Sequence, residues 1–314
     1  MSKISPFRLA PYFRTRPWGF NDLSPWYNYQ TEGEPIGEVW LTGEMCTAET
    51  GPLKGQSLQQ ITADHTEALL GTAAAAGEFP LLLKVLFPKT KLSVQVHPND
   101  ALAQKNGFPR GKTECWYALD AKPDASVGLG IVDGTTPEQV RAAIHDATLE
   151  KFMEWLPVAK GDMIYVDAGT VHAIAPGAVI LETQQTSDLT YRMYDYGSGR
   201  ELHIDLAMEA MRLKTRAGKV APVKEGSHDQ LLREHYFAIE RWPLTTGTTC
   251  PELGVALDRV QVLFAAEGEI EIAGDDFDPF LLQKCQAAVV PANTGIRVKC
   301  SLQAELIRIM PEAV

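Results

Sequence analysis

Apolar residues in this chain recur in short runs with the alternation of β-strands, separated by turns that contain glycine, proline and asparagine. Residues 91–97 have the sequence KLSVQVH, so the side chains of Ser93, Gln95 and His97 leave one face of the predicted strand. Residues 81–87, LLLKVLF, predict a buried strand whose apolar run only Lys84 interrupts. The pattern predicts a mainly β protein.

Helical patterns are fewer. Residues 57–77 are predicted to be helical and to stop at Gly77. The sequence TPEQ at residues 136–139 places a capping threonine before a proline and a glutamine, which marks a helix start. We expect this helix and the next one to run to about Trp155, and another helix to cover residues 205–215 with an apolar side.

Three short stretches carry the candidate chemistry. They are Gln95 with His97, the sequence KTE at residues 112–114, and the sequence GDMIYVDAGTVH at residues 161–172, which predicts a strand, a tight turn and a second strand. A lone histidine on a strand is usually a hydrogen-bonded structural residue, so the interpretation depends on the combination. One amide oxygen, two imidazoles and a carboxylate suit a divalent metal with open positions for a substrate.

The pattern G-x5-D-x-G-x2-H in residues 161–172 resembles the second half of the cupin signature. In cupins, which are double-sheet jelly rolls, this strand, glycine turn and histidine deliver one ligand to the barrel interior. The first half of the signature departs from the usual form, because Gln95-Val96-His97 replaces H-x-H and the glutamate comes late, at Glu114. The resemblance implies a jelly-roll barrel of an unusual cupin family.

Residues 218–226 look like a linker, and an all-β stretch follows them. This stretch resembles a second cupin barrel in the rhythm of its strands, but no His or Glu occupies the ligand positions. We therefore predict two cupin-like jelly-roll barrels, with a few helices inserted in and flanking the first. Residues 1–226 would form the metal-binding catalytic domain, and residues 227–314 a C-terminal β domain without metal that packs against the first or shapes its site.

Composition narrows the class of protein. The chain has 314 residues, of which 45% are hydrophobic, enough for one large or two ordinary domains. No apolar run reaches the length of a membrane span and the N-terminus lacks the apolar segment of a signal peptide, so we expect no membrane association. Five scattered cysteines without C-x-x-C spacing favour the reducing cytoplasm.

The charge balance bears on the ligand. The net charge of −11 argues against nucleic acid as a partner. The same negative field would repel an anionic substrate, so such a substrate would need a local cluster of cations. We expect a small-molecule substrate, and a monomer is compatible with the sequence.

Further motifs accompany the candidate ligands. They are RPWG at residues 16–19, IGEVW at 36–40, LKVL at 83–86, LSVQVHP at 92–98, KTE at 112–114, AGTVHA at 168–173, and ETQQTSD at 182–188 leading to YR at 191–192. Taken together they resemble type I mannose-6-phosphate isomerase, also called phosphomannose isomerase, in its shorter bacterial form. The resemblance covers most of residues 10–205 and is weaker beyond them. The Gln-x-His pair with a late Lys-x-Glu is not a general cupin feature, so the combination is specific.

The resemblance implies a zinc-dependent aldose-ketose isomerase that interconverts mannose 6-phosphate and fructose 6-phosphate. It implies one metal per chain, zinc or another divalent ion, and Arg192 as a catalytic residue. Lys84, Ser93, Lys112 and Glu182 fall on active-site motifs of the family. The metal ligands that it implies are Gln95, His97, Glu114 and His172. One departure is Ile174, because longer family members have a tyrosine at this position.

Aldose–ketose isomerisation moves a proton between C1 and C2 through an enediolate, so it needs a base and positive charge beside the developing oxyanion. Glu182 is the leading candidate for the base, because a carboxylate in a closed barrel has a raised pKa. Its alternative role is to orient a ligand histidine. Lys112 is a rival for the proton transfer. Lys84 and Ser93 are assigned to substrate binding.

Lys84 has two interpretations. It can form an ion pair with a core carboxylate, since a buried lysine is costly without a partner. It can also join Lys112 and Arg192 in the cation cluster that an anionic substrate needs. Two other functions compete with the isomerase: a cupin dioxygenase, which would favour a redox-capable iron site and an apolar pocket, and a non-catalytic sugar-phosphate binding protein, which would have lost the base.

Overall fold

The computed structural model describes residues 4–29, 31, 33–247 and 250–312. Strands dominate these residues, and they include four α-helices and two short 3-10 helices, Ala74–Ala76 and Leu149–Phe152. The α-helices are α1 (Leu58–Leu70), α2 (Asp100–Lys105), α3 (Pro137–His145) and α4 (Ile204–Ala210). The first twelve strands are β1 (Phe7–Leu9), β2 (Tyr12–Phe20), β3 (Ile36–Trp40), β4 (Leu81–Leu86), β5 (Val94–Val96), β6 (Glu114–Ala121), β7 (Ser126–Ile131), β8 (Met153–Pro157), β9 (Met163–Val166), β10 (His172–Ile174), β11 (Ala178–Gln185) and β12 (Tyr191–Tyr194). The remaining strands are β13 (Gly218–Val220), β14 (Val223–Glu225), β15 (His228–Arg233), β16 (Phe237–Leu244), β17 (Gln261–Glu267), β18 (Glu269–Ala273), β19 (Phe280–Gln283), β20 (Ala287–Val290), β21 (Arg297–Cys300) and β22 (Ala304–Pro311).

The strands form four antiparallel sheets, here named A to D. Sheet A has the strand order β12-β5-β10-β7-β8, and sheet B has the order β13-β9-β6-β11-β4-β3-β2. Sheet C has the order β1-β20-β17-β22-β16-β15-β14, and sheet D has the order β19-β18-β21. The strand order shows many crossovers between non-consecutive strands, as in jelly rolls.

The hydrophobic clusters show how the sheets are layered. Side chains of sheets A and B, such as Leu129 and Ile180, share one core and enclose the first barrel. Side chains of sheets C and D, such as Leu263 and Ile270, share another core and enclose the second barrel. The mainly β fold with two double-sheet barrels is the predicted one.

The two barrels pack through the outer faces of sheets B and C. Val85 of sheet B and Phe264 of sheet C belong to one continuous cluster that α1 also joins through Ile61. Strand β1 pairs with β20, with Phe7 opposite Val289, so the N-terminal segment contributes a strand to sheet C. The division of the chain at residue 226 stays a prediction, and both β1 and β14, which precede it in the chain, belong to sheet C.

The helices differ from the predicted ones at their ends. The capping box predicted at Thr136 is present, but α3 ends at His145, and Met153 to Trp155 are strand residues that pair with β7. Helix α4 ends at Ala210 rather than near residue 215. The reason is tertiary, because the amide of Arg212 donates a hydrogen bond to the carbonyl oxygen of Gly169 (2.8 Å) and so leaves the helical path.

The predicted linker, residues 218–226, contains two strands. Gly218–Val220 pairs with β9 of sheet B, and Val223–Glu225 pairs with β15 of sheet C. The segment therefore extends one sheet of each barrel. None of the helices in the described part of the chain has both the length and the apolar character that a membrane-spanning helix requires.

Candidate active site and metal centre

The predicted metal ligands meet inside the first barrel, where sheets A and B face each other. Glu114 begins β6 of sheet B, and His172 begins β10 of sheet A. His97 follows β5 directly, and Gln95 on β5 lies opposite His172 in the strand register. Because β5 and β10 are neighbours, the strand pairing alone places these two ligand segments side by side.

A tight turn directly before His172 is hydrogen-bonded to the segment that contains His97. Gly169 has a φ of +92°, a conformation that favours glycine, and its amide donates to the carbonyl oxygen of His97 (2.8 Å). A Cβ at this position would lie 2.7 Å from Nε of Arg212. Thr170 donates its hydroxyl to Asp167 (2.9 Å) and so closes the turn. The glycine turn predicted from the sequence therefore sets the position of both histidines.

Two imidazoles and one carboxylate form a buried group. The candidate ligand atoms of His97, Glu114 and His172 all lie within 4.8 Å of one another, and none of the three residues is more than 1% exposed. Nε2 of His172 lies 3.4 Å from Oε1 of Glu114, and Nε2 of His97 lies 3.6 Å from Oε2. This spacing leaves room for one ion between them.

Backbone carbonyls orient both imidazoles. Nδ1 of His97 lies 2.8 Å from the carbonyl oxygen of Leu189, and Nδ1 of His172 lies 2.9 Å from that of Thr170. Since a carbonyl only accepts, each Nδ1 carries the proton and each Nε2 presents a lone pair. Burial lowers the pKa of both histidines, which keeps the rings neutral and able to bind a metal.

The donor set fits a divalent cation. Among the described residues, Nε2 of His97 and Oε1 of Glu114 are buried without a hydrogen-bond partner, whereas Oε2 of Glu114 lies 2.9 Å from Nζ of Lys112. Buried polar atoms are almost always hydrogen-bonded, so two unpartnered ones at one point indicate an absent partner. A cation coordinated by these atoms would satisfy both at once.

Gln95 lies at the edge of this group. Its Nε2 is 3.2 Å from Nε2 of His172, and the hydroxyl of Ser93 donates to its Oε1 (3.3 Å). A half-turn of the amide would exchange its nitrogen and oxygen and bring Oε1 to the histidine side. Its role as a fourth ligand stays a prediction.

Alternating charges continue from Glu114 along sheet B. Nζ of Lys112 lies 2.9 Å from Glu114 and 3.8 Å from Glu182. Nζ of Lys84 lies 3.6 Å from Glu182 and 3.0 Å from Asp188. Both lysines are buried, as Lys84 was predicted to be, and the ion pair foreseen as one interpretation of Lys84 is present.

Burial and these neighbours shift the pKa values in different directions. Burial raises the pKa of Glu182 to about 7, although Lys112 opposes the shift. Burial alone would lower the pKa of Lys112, but Glu114 and Glu182 raise it above its ordinary value. Burial would raise the pKa of Glu114, yet Lys112 beside it keeps the pKa below its usual range. Glu182 is therefore the group of this row that titrates near neutrality, while Lys112 stays protonated.

The row of charges lines a cavity of about 510 Å³. Lys84, Ser93, Gln95, Lys112, Glu182 and Arg192 all contribute to its wall. Arg192 is on β12 and lies opposite Gln95 of β5. Its Nη1 donates to the carbonyl oxygen of Glu201 (2.9 Å). Its Nε is buried and has no acceptor among the described residues. The structure thus brings every predicted site residue to one cavity or to the metal group next to it.

Residues 7–157 match the model of the phosphomannose isomerase type I catalytic domain. The chain is 35% identical over 256 residues to mannose-6-phosphate isomerase ManA of Bacillus subtilis, covering 76% of this chain and 80% of the relative. It is 31% identical over 299 residues to mannose-6-phosphate isomerase of Streptococcus mutans, covering 91% and 92%. The chain belongs to the type I phosphomannose isomerase family.

The fold is that of the family over nearly all of the chain. The crystal structure of mannose 6-phosphate isomerase from Bacillus subtilis superposes with a TM-score of 0.85 at 29% identity, covering 98% of this chain and 99% of the other. A variant of phosphomannose isomerase from Salmonella typhimurium shares the fold at 18% identity, with a TM-score of 0.80. The resemblance inferred from the motifs is confirmed.

Several residues in and beside the cavity were not predicted as site residues from the sequence. Arg16 donates to Glu38 through Nε (2.7 Å), and Glu38 also accepts from the indole of Trp40 (2.7 Å). Nζ of Lys84 lies 4.9 Å from the centre of the Trp40 ring. Arg200 and Asp188 also line the cavity. The motifs RPWG and IGEVW contained part of this signal, but only the pairing of β2, β3 and β4 shows that these side chains face Lys84.

Ile174, the departure from longer family members, has a structural place. Its side chain is buried and belongs to the core between sheets A and B, together with Trp18 and Leu92. A hydroxyl at this position would need a partner in an apolar environment. The core packing accounts for the isoleucine.

His97→Ala and His172→Ala should each weaken the binding of a divalent metal. The loss should exceed the roughly 10–100-fold that follows when only a residue orienting a ligand is changed. His145→Ala, on the exposed end of α3, is the matched control and should keep one metal per chain. Metal content after dialysis, with thermal unfolding to check the fold, measures the effect. Stoichiometric metal in the double histidine variant would contradict the site.

Proposed function

We propose that this protein is a mannose-6-phosphate isomerase that interconverts mannose 6-phosphate and fructose 6-phosphate through an enediolate. We further propose that Gln95, His97, Glu114 and His172 hold one divalent metal, zinc in the first instance. The observation that supports this most directly is the buried group of His97, Glu114 and His172, in which Nε2 of His97 and Oε1 of Glu114 have no hydrogen-bond partner among the described residues. When bound, the metal would supply Lewis acidity beside the oxygen on which negative charge develops.

The cavity next to this group suits an anionic sugar. Lys84, Lys112 and Arg192 contribute positive charge to its wall, although the whole chain carries a net charge of −11. Its volume of about 510 Å³ is in the range of small-molecule sites. This local charge supports the predicted cation cluster and a sugar phosphate as the substrate.

Glu182 is the proposed base. Its pKa of about 7 suits a group that accepts a carbon-bound proton and returns it during each turnover. Its alternative role, the orientation of a ligand histidine, has no support, because backbone carbonyls bind both Nδ1 atoms. Lys112 is protonated and can donate a proton or stabilise charge, but it is unsuited to be the base.

Arg192 and Lys84 are assigned different tasks. Arg192 keeps its charge at all relevant pH values, and its buried Nε has no acceptor among the described residues, so it can stabilise the enediolate oxygen. Lys84, together with Ser93, is proposed to bind the substrate, with Lys84 at the phosphate end. Before substrate binds, Asp188 and Glu182 hold the Lys84 ammonium in place.

The competing functions receive less support. A cupin dioxygenase would favour an apolar pocket, whereas the wall of this cavity carries several lysine, arginine and glutamate side chains. A binding protein without catalysis would lack the base, whereas this chain has the proposed base, Glu182, buried in the cavity wall. The free thiols Cys46, Cys115, Cys250, Cys285 and Cys300 fit the reducing environment of the cytoplasm, where we propose that the enzyme acts.

Metal removal tests the proposed function. The protein as purified should convert mannose 6-phosphate in an assay coupled to fructose 6-phosphate. Dialysis against a chelator should lower kcat by at least roughly 10²-fold, the scale of losing one stabiliser of an oxyanion. Zinc should restore it. Lack of activity in the metal-loaded protein, or full activity after metal removal, would overturn the proposal.

Glu182→Gln should lower kcat by roughly 10²–10⁴-fold, because the amide cannot accept the proton. In the unsubstituted protein kcat should fall as pH falls through the pKa of Glu182, since the protonated carboxyl is not a base. The acid limb of the pH–rate profile should be absent from the residual activity of Glu182→Gln, which should still bind metal. An unchanged acid limb in this variant would assign it to another group.

Arg192→Ala should lower kcat and kcat/KM together by roughly 10²–10³-fold while the metal content stays unchanged. Lys84→Ala should mainly raise KM, and the rise should be smaller for unphosphorylated mannose. The exposed Lys91 provides the control Lys91→Ala, which should do neither. If Arg192→Ala instead keeps a near-normal kcat and raises KM, the two assignments are reversed and the phosphate lies at Arg192.

A further inference from the structure

The segment that carries Lys112 and Glu114 into the site is a loop, although it is buried. Residues 110–113 belong to no helix or strand, and Lys112 and Thr113 are each only 4% exposed. A buried loop has no neighbouring strand to bind its backbone amides, so other groups must do so. The partners of these amides therefore determine where Lys112 and Glu114 lie.

One carboxylate binds an amide of the loop and also binds the side chain that accepts from a second amide. Oδ1 of Asp100 accepts from the amide of Gly111 (2.8 Å) and from Nε2 of Gln185 (3.0 Å). Gln185 in turn accepts the amide of Thr113 at its Oε1 (2.8 Å). Asp100 thus binds the loop twice, once directly and once through Gln185.

The loop also rests on the segment that follows His97. The amide of Lys112 donates to the carbonyl oxygen of Pro98 (3.0 Å). A Cβ on Gly111 would lie 2.4 Å from that oxygen and 2.5 Å from the carbonyl carbon of Asn99, so the two backbones are in close contact. A shift of the loop would therefore move Lys112 and Glu114 relative to His97.

The C-terminal barrel holds Asp100 from the other side. The hydroxyl of Tyr236 donates to Oδ2 of Asp100 (2.7 Å). Tyr236 lies in the turn between β15 and β16 of sheet C. Both oxygens of the carboxylate are thus engaged, one by the loop and one by the second barrel.

Asp100 is not needed to cap its own helix. Asn99 is the N-cap of α2 and accepts the amide of Leu102 at its side chain (2.9 Å). The carboxylate oxygens of Asp100 instead contact segments distant in sequence. The lowered pKa of Asp100, which Tyr236 and the amide of Gly111 produce against the effect of burial, keeps it ionised.

We propose that Asp100 is a positioning residue for the metal and proton-transfer groups, and that Tyr236 makes the C-terminal barrel part of this support. Asp100 acts through the loop that holds Lys112 and Glu114 and touches neither metal nor substrate. The catalytic consequence depends on the proposed isomerase function, whereas the effect on the loop and on metal binding does not.

The test compares Asp100→Ala, Asp100→Asn and Tyr236→Phe with Tyr117→Phe. Tyr117 is the matched control, because its hydroxyl also donates to a carboxylate of the C-terminal part, Glu305 (2.8 Å), without contacting the loop. Asp100→Ala should weaken zinc binding, measured by competition with a chelator, and lower kcat, each by roughly 10-fold. KM should stay within about twofold, because the substrate-binding groups are untouched.

The other variants should show smaller losses of zinc affinity and rate than Asp100→Ala. Asp100→Asn keeps an oxygen that can accept from Gly111 and Gln185, so it should restore most of the affinity and the rate. Tyr236→Phe should fall between Asp100→Asn and Asp100→Ala. In the metal-loaded protein, hydrogen exchange at the amides of Gly111 and Thr113 should be faster in Asp100→Ala and Tyr236→Phe than in Tyr117→Phe.

If Asp100→Ala and Tyr236→Phe match Tyr117→Phe in zinc affinity and in amide exchange, the positioning role is wrong. Should Asp100→Ala fail to fold, the comparison of Tyr236→Phe with Tyr117→Phe decides the question. Altered exchange and zinc affinity in a protein that does not act on mannose 6-phosphate would support the positioning role and reject the isomerase proposal alone.

Discussion

The buried carboxylate of Glu114 is the feature on which the rest of the first barrel depends. A carboxylate removed from water is unstable unless opposite charge and donors compensate for it. Lys112 supplies one charge at 2.9 Å, and two neutral imidazoles leave space for another. Each further buried charge also has a neighbour of opposite sign. Glu182 lies near Lys112, Lys84 lies near Glu182, and Asp188 pairs with Lys84. A row of alternating charges thus runs from the metal group into the cavity, where a polar substrate can join it.

This row explains how one wall of the cavity provides groups for different chemical tasks. Glu182 lies between two lysines, yet its burial raises its pKa to about 7, so a small change in its surroundings alters its protonation. Lys112 stays charged because Glu114 and Glu182 raise its pKa, and Lys84 forms ion pairs with Glu182 and Asp188. Arg192 approaches from the opposite sheet, where its Nη1 donates to the carbonyl oxygen of Glu201 and its Nε has no acceptor among the described residues. We infer that its remaining donors are available to substrate.

The second barrel supports the first through packing and through a few polar contacts. The outer faces of sheets B and C share one apolar core, which buries the back of the strands that carry Glu114, Glu182 and Lys84. Tyr236 adds a directional contact to Asp100 at the edge of that interface. A barrel that contributes none of the proposed metal ligands can in this way affect the position of the residues that bind metal.

The sequence by itself determined the β pattern, the glycine turn at Gly169 and the set of candidate ligands, because alternation, turn chemistry and metal-binding side chains are local properties. The motifs also led to the right family. Only the tertiary structure decided that Glu182 and Lys112 are neighbours, that helix α4 ends where Arg212 binds Gly169, and that residues 218–226 form strands of two sheets. It also decided that Arg16, Glu38 and Trp40 face Lys84, and that Asp100 supports the loop. These contacts join residues far apart in the chain, and the free energy that selects them comes from burying charges and backbone amides together, which no local pattern encodes.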